Sequence, residues 1–197
     1  MDLKDFFDNQ ATAWDEIQAQ FRPHPEELLI ALRFRAGEDV LEIGCGSGWL
    51  MEPLVRKIAP GRLYALDFSG EMLRKAVEKD MSSPVVIIYA TAEDIPLPDQ
   101  SVDRVLMINT FSQFPKPELV ISEISRVLRK GGRLDIKYFF SRKEISLHHH
   151  SKVVLKDFSI PENPLLYSWF NSCGFISAAM DREDGFHFTS RLVGQKR

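Results

Sequence analysis

Val40-Leu41-Glu42-Ile43-Gly44-Cys45-Gly46-Ser47-Gly48-Trp49-Leu50 is the stretch whose reading decides the fold. Val40, Leu41 and Ile43 read as a short buried strand. Gly44 to Gly48 follow as a turn. Glycine lacks a Cβ, so such a turn takes positive φ and lets a ligand approach the main chain. From Trp49 onward Leu50, Leu54, Val55 and Ile58 recur at helical spacing, which predicts a helix. Strand, glycine turn and helix in that order form the nucleotide-binding arrangement of an open α/β sheet.

The residues narrow the choice of nucleotide. A dinucleotide fingerprint needs a third glycine where Trp49 stands, and the Gly-Lys-Ser/Thr ending of a P-loop is missing. Glu42 lies inside the apolar strand, two residues ahead of the first glycine. An unpaired carboxylate there is costly to bury, and it repels a pyrophosphate. It suits a ligand that carries an ammonium group and no phosphate. S-adenosylmethionine, with its amino-acid end and its sulfonium, fits that description.

The stretch resembles the glycine motif of the class I S-adenosylmethionine-dependent methyltransferases, an acidic residue, any residue, then G-x-G-x-G. Glu42, Ile43 and Gly44-Cys45-Gly46-Ser47-Gly48 match it in full. Three further stretches carry the resemblance. Phe7, Ala11, Trp14 and Asp15 fit the form F-x-x-x-A-x-x-W/Y-D, an N-terminal segment that often lies over the cofactor. Ala92, Glu93, Pro96 and Asp99 fit the form D-A-E-x-L-P-F-x-D, which caps the adenine edge. Thr91 replaces the usual acid there. Arg126-Val127-Leu128-Arg129-Lys130-Gly131-Gly132-Arg133-Leu134 is similar to R-V-L-K-P-G-G-R-L. The resemblance covers about residues 5–195 and is weakest over 140–165. It implies a small-molecule methyltransferase of the quinone-biosynthesis type. The implied fold is a Rossmann-like, doubly wound, seven-stranded and mostly parallel sheet of order 3-2-1-4-5-7-6. Its strand 7 is antiparallel, and helices cover both faces.

Composition sets the bounds. The chain has 197 residues, enough for one domain with a real core, and its 44% hydrophobic and 11% aromatic content fits an ordered globular protein. With 25 basic and 28 acidic residues the net charge is −3, so no basic surplus points to nucleic acid. Cys45 and Cys173 form neither a disulfide framework nor a zinc spacing. A reducing cytoplasm is the default expectation. No apolar leader and no run of membrane-spanning length is read from the sequence. The expectation is a single domain over 1–197, with helices over 1–35 serving as a possible lid.

In chain order, Leu3, Phe6, Phe7, Ala11, Trp14 and Ile17 give residues 2–20 helical character. Pro25 to about Phe34 reads as a second helix, with Pro25 in its first turn and Glu26 and Glu27 at its positive end. Arg62 to Asp67 is the second strand, and Ser69 caps the next helix. Asp67 stands about 20 residues past the glycine turn, where an acid reaches the ribose hydroxyls. Phe68 and Met72 are candidates to cover the adenine. Pro84 to Tyr89 is a third strand, continuously apolar as in a parallel sheet. Ser101 to Ile108 is a fourth, with Asn109 to Phe114 at its carboxyl end. Pro117 starts a helix, and Gly131-Gly132 reads as its stop and the turn into a fifth strand. A helix near Leu165–Cys173 and an antiparallel hairpin, about 176–182 and 186–195, complete the chain.

The expected cofactor shell is Trp14 in the lid, Glu42, Gly44, Cys45, Gly46, Ser47 and Gly48 at the amino-acid end, and Asp67 on the ribose. Phe68, Met72, Thr91, Ala92 and Glu93 lie around the adenine, and Asn109 lies beneath the sulfur. S-adenosylhomocysteine is the expected product. No catalytic residue is assigned. Ser112 and Gln113 stand where many relatives have a His pair. On a strand His148 and His150 share a face, opposite to His149. The run offers a metal site, a base near the substrate mouth or an exposed loop, and no metal is assigned. The expected enzyme is a methyltransferase acting on a small molecule, as a monomer or homodimer, without nucleic acid and without a membrane span. A cofactor-binding sensor or partner subunit without catalysis is the alternative. A nicotinamide oxidoreductase is disfavoured by Trp49 and Glu42.

Overall fold

The computed structural model describes residues 2–150, 154–155, 159–182 and 185–193, of which 148–150 and 178–182 are described by their backbone only. Two short helices, α1 (Leu3–Gln10) and α2 (Trp14–Ala19), precede α3 (Pro25–Leu32). Then follow β1 (Val40–Ile43), α4 (Met51–Ile58), β2 (Leu63–Asp67), α5 (Gly70–Val77), β3 (Val85–Tyr89) and β4 (Val102–Ile108). The chain continues through α6 (Pro117–Val127), β5 (Leu128–Lys137), α7 (Arg142–His150), α8 (Asn163–Ser172), β6 (Phe175–Arg182) and β7 (Gly185–Leu192).

The seven strands lie in the order β3-β2-β1-β4-β5-β7-β6. β1 through β5 pair in parallel, and β7 runs antiparallel to both β5 and β6. The expected order and the antiparallel strand are both borne out. β1 is buried along its whole length. Its side chains alternate between the two faces. Leu41 and Ile43 enter the apolar cluster shared with α6 and α8, while Val40 enters the cluster shared with α3, α4 and α5. The strand direction brings the tips of β1, β2 and β4, with the loops that follow them, to one end of the sheet. The site lies there.

Five polar side chains fix the approach to that end. Arg126 on α6 donates to the carbonyls of Ile95 and Leu97 and to Asp99, while Glu123 accepts from the Ile95 N–H. The loop after β3 is thus held from beneath. Asp8 of α1 accepts from the Ser69 hydroxyl, which itself caps α5 by accepting from the Met72 N–H.

Three local expectations are corrected. The helix expected over 2–20 is broken between Gln10 and Trp14, because the chain turns to lay both Phe7 and Trp14 against the sheet end. α3 stops at Leu32, where Arg33 takes a left-handed cap at φ 59° and its N–H reaches the carbonyls of Ile30 and Leu29. Gly131 and Gly132 do not stop α6, which ends at Val127. They lie inside the long β5, beside the register shift between Val102 and Arg104.

Candidate active site

Three cavities adjoin at the carboxyl end of the sheet. The first, over the glycine loop, is lined by Gly44, Cys45, Gly46, Asp67, Phe68, Met72, Asn109 and Thr110 from the sheet side. Phe7, Trp14, Gln18 and Arg22 line it from the N-terminal segment. The second, about 280 Å³, is bounded by Asp67, Phe68, Thr91, Ala92 and Glu93. The third, about 360 Å³, is walled by the rings of Phe6, Phe7, Trp14, Phe21, Tyr138 and Phe140. Gln113 borders all three.

The glycine loop is built for close approach. Gly44 has φ +74°, and a Cβ there would meet the Thr110 side chain at 2.5 Å. Gly44 N–H and Cys45 N–H both donate to Leu66 O, and Gly46 N–H donates to Asp67 Oδ2 at 2.8 Å. Gly48 N–H donates to Cys45 O. These donors are engaged inside the protein. A loop in that state is a poor cradle for phosphate, which binds through free backbone N–H groups.

The acids sit where a cation is wanted. Glu42 is 2% exposed and its Oε2 has no hydrogen-bond partner. Burial, reinforced by the nearby Asp67 charge and partly offset by Arg22, pushes its pKa up to about 8. Asp67 accepts from Ser69 N–H and Gly46 N–H, yet burial still pushes it up to about 6. A buried carboxyl oxygen without a partner is costly, and an ammonium group from a ligand would satisfy it. The residues present therefore fit the amino-acid end of S-adenosylmethionine.

The N-terminal helices are pinned over this cavity by side chains. Ser47 Oγ donates to Asp15 Oδ1 at 2.5 Å, Arg22 Nη1 donates to the same oxygen at 2.9 Å, and Lys79 Nζ reaches Asp15 Oδ2 at 2.7 Å. Burial alone would raise the Asp15 pKa, but these three donors hold it at about 2. Arg22 also lies 5.1 Å from the Trp49 ring centroid. It is the one cation lining the glycine-loop cavity among the described residues.

The residues expected from sequence mostly converge. Trp14, Gly44, Cys45, Gly46, Asp67, Phe68, Met72 and Asn109 line the first cavity, and Thr91, Ala92 and Glu93 the second. Three stand back from the cavity wall. Glu42 lies behind the loop, Ser47 turns to Asp15, and Gly48 packs against Met51 and Ala76. Met72 joins Phe7 and Ala11 in the lid cluster rather than the second cavity. Asn109 takes φ 54° and its Oδ1 accepts from Phe139 N–H at 3.1 Å. The backbone of His148–His150 is helical, and the side chains of that run lie outside the described residues. Sequence reasoning missed Arg22 and Gln18, which no local pattern marks, and singled out Gln113 only as standing in the place of a His.

Residues 41–136 match a family model described as a methyltransferase domain. The matched stretch is similar to a methyltransferase domain. It includes Glu42 to Gly48, so the resemblance drawn from them is borne out. The chain is 36% identical over 93 residues to 2-methyl-6-phytyl-1,4-hydroquinone methyltransferase 2 of Oryza sativa subsp. japonica, covering 47% of this chain and 27% of that one. It is 30% identical over 128 residues to a malonyl-[acyl-carrier protein] O-methyltransferase of Hahella chejuensis, covering 65% and 46%. The chain thus spans less than half the length of either relative. Among solved structures, the methyltransferase seen in complex with the Trm112 activator of Haloferax volcanii superposes with a TM-score of 0.80. That match is 21% identical and covers 99% of each chain, which shows the shared fold. Among the described residues no helix is long and apolar enough to cross a membrane.

Proposed function

We propose that this protein transfers a methyl group from S-adenosylmethionine to a small, apolar, ring-bearing acceptor. One observation carries the reading: the partnerless Glu42 Oε2 lies beneath a glycine loop whose N–H donors are engaged inside the protein. That combination favours a cation-bearing ligand over a dinucleotide.

When bound, S-adenosylmethionine supplies an electrophilic methyl carbon together with its own leaving group. The chain's residues bind, orient and exclude water. Glu42 neutralises the cofactor's ammonium group. Arg22, fixed by Asp15 and Trp49, faces its carboxylate. Asp67 keeps lone pairs for the ribose hydroxyls, since a carboxylate offers more acceptor sites than its two backbone bonds use. Phe68, Thr91, Ala92 and Glu93 bound the adenine side. Asn109 lies between the glycine-loop cavity and the ring-lined chamber, where the methyl group would pass. Alignment of the two reactants in a dry site is the main protein contribution to such a displacement.

The ring-lined chamber receives the acceptor. Its aromatic walls, with the amides of Gln10, Gln18, Asn109 and Gln113 between them, suit a flat molecule with one or two polar groups. The relative named for a hydroquinone supports this choice. The protein is taken to act as a single domain, a monomer or homodimer.

Calorimetry with S-adenosylmethionine and NAD tests the cofactor half. The expected result is saturable binding of the first alone, lowered about ten- to hundredfold in Asp67→Ala by loss of a charged acceptor. Unchanged affinity in that variant would reject the ribose role. Release of S-adenosylhomocysteine over a panel of one- and two-ring phenols and amines tests the acceptor half.

A further inference from the structure

A second polar concavity lies on the face of the sheet over β5, β7 and β6, and the reading above leaves it unused. Arg33, Arg133, His187, Thr189 and Arg191 line it, and Ser177 and Ser190 complete the wall. Its volume is about 470 Å³. The register of the sheet explains the charge. Arg104 on β4 pairs with Arg133 on β5, and Arg133 pairs with Arg191 on β7. Residues paired in register point to the same face, so three arginines stand in one row across three strands. Like charges directly opposite one another destabilise a strand pair.

Asp135 offsets part of this row. It is fully buried, and its Oδ2 accepts from Arg104 at 2.6 Å while its Oδ1 accepts from Arg133 at 2.6 Å. His187 Nε2 lies 3.1 Å from that same Oδ1. Glu38 stands 3.6 Å from Arg104. Asp135 therefore orients Arg133 and His187 from beneath, and its lone pairs are already shared among three partners. Arg33 and Arg191 are exposed and make no ion pair among the described residues. Arg33, Arg133 and Arg191 line the concavity with no acid in its wall; behind them the buried Arg104 is paired with Asp135 and Glu38.

We propose that this concavity binds a phosphate group, either the free anion or the monoester of a small molecule. The fork geometry of arginine matches phosphate oxygens, and a buried carboxylate holding Arg133 and His187 in place is the support that such a site needs. Thr189 adds a hydroxyl donor on the same face. The concavity shares no lining residue with the three cavities at the carboxyl end of the strands. It is a separate site.

Calorimetry at fixed ionic strength, with inorganic phosphate and with glycerol 3-phosphate, tests the proposal. One saturable site per chain is expected. Arg33→Gln and Arg191→Gln should each weaken binding about tenfold, as loss of a charge-assisted contact does. S-adenosylhomocysteine affinity should stay unchanged in both variants, which also reports that they fold. Tighter binding of the free anion would name phosphate itself as the ligand, and tighter binding of the ester would name a phosphorylated metabolite. Absence of saturation by either probe, equal binding by the doubly substituted chain, or an equal response to chloride would overturn the site.

Discussion

The two walls of the glycine-loop cavity are made differently. The sheet wall is backbone: the turn from Gly44 to Gly48, tied to Leu66 O and to Asp67, with Glu42 buried behind it. The lid wall is side chain: Phe7, Trp14 and Arg22, held down by Asp8 on Ser69 and by Asp15 on Ser47 and Lys79. The sheet wall is rigid because ladder bonds and core packing on both faces determine it. The lid wall rests on a small apolar cluster of Phe7, Ala11 and Met72 and on a few polar contacts. A site made this way keeps its specificity in the strands and its access in the helices.

The contrast can be broken most forcefully at Gly44. A Cβ there sits 2.5 Å from Thr110 at φ +74°, so Gly44→Ala should remove cofactor binding. It should also cost roughly 2–3 kcal/mol of stability, lowering the thermal midpoint by about 5–10 °C. At Gly46 the nearest atom is Trp14 Nε1 of the lid at 3.5 Å, so Gly46→Ala should bring backbone strain and a far smaller shift. Equal midpoints for the two variants would show that the sheet wall is not the rigid one.

The lid's part is sharpened by Arg22→Gln. Loss of a charged hydrogen bond of about 1.5 kcal/mol should weaken S-adenosylmethionine binding roughly tenfold. Binding of 5′-methylthioadenosine, which lacks the amino-acid end, should not change. Equal loss for both ligands would mean that Arg22 merely holds the lid. The smallest effect is in pH. The folded pKa of Glu42 is raised from 4.5 to about 8, so its contribution to stability is full below 4.5 and is lost as pH rises toward 8. An ammonium ligand favours the ionised form. Affinity should therefore climb severalfold from about pH 6 to pH 8, with a proton released on binding. Calorimetry in two buffers of different ionisation heat reads that proton, and Glu42→Gln should abolish it.

The sheet was legible because its signals are local. Pro84 to Tyr89 and Val105 to Ile108 are apolar runs that read as strands, although β3 is the edge strand and leaves Val86 and Tyr89 exposed, and Asp67 follows the glycine turn at a fixed offset. Arg22 was not legible. It matters only because the segment after α2 lays Arg22 over Trp49, and nothing in Phe21-Arg22-Pro23 announces that contact. The end of α6 was misread for a related reason. Gly131 and Gly132 look like a helix stop, but pairing of Leu128 with Val102 draws the chain into β5 three residues earlier.

The sequence alone determined the strand–glycine–helix unit, the two carboxylates that flank it and, through them, the kind of ligand. Those follow from backbone freedom and burial cost, which act between neighbours in the chain. Tertiary structure alone decided which cation reaches the glycine-loop cavity, which rings wall the acceptor chamber, and that Arg104, Arg133 and Arg191 share one row. Each of those depends on register or on packing between distant segments, and a one-residue slip in strand pairing would turn an arginine of that row to the opposite face.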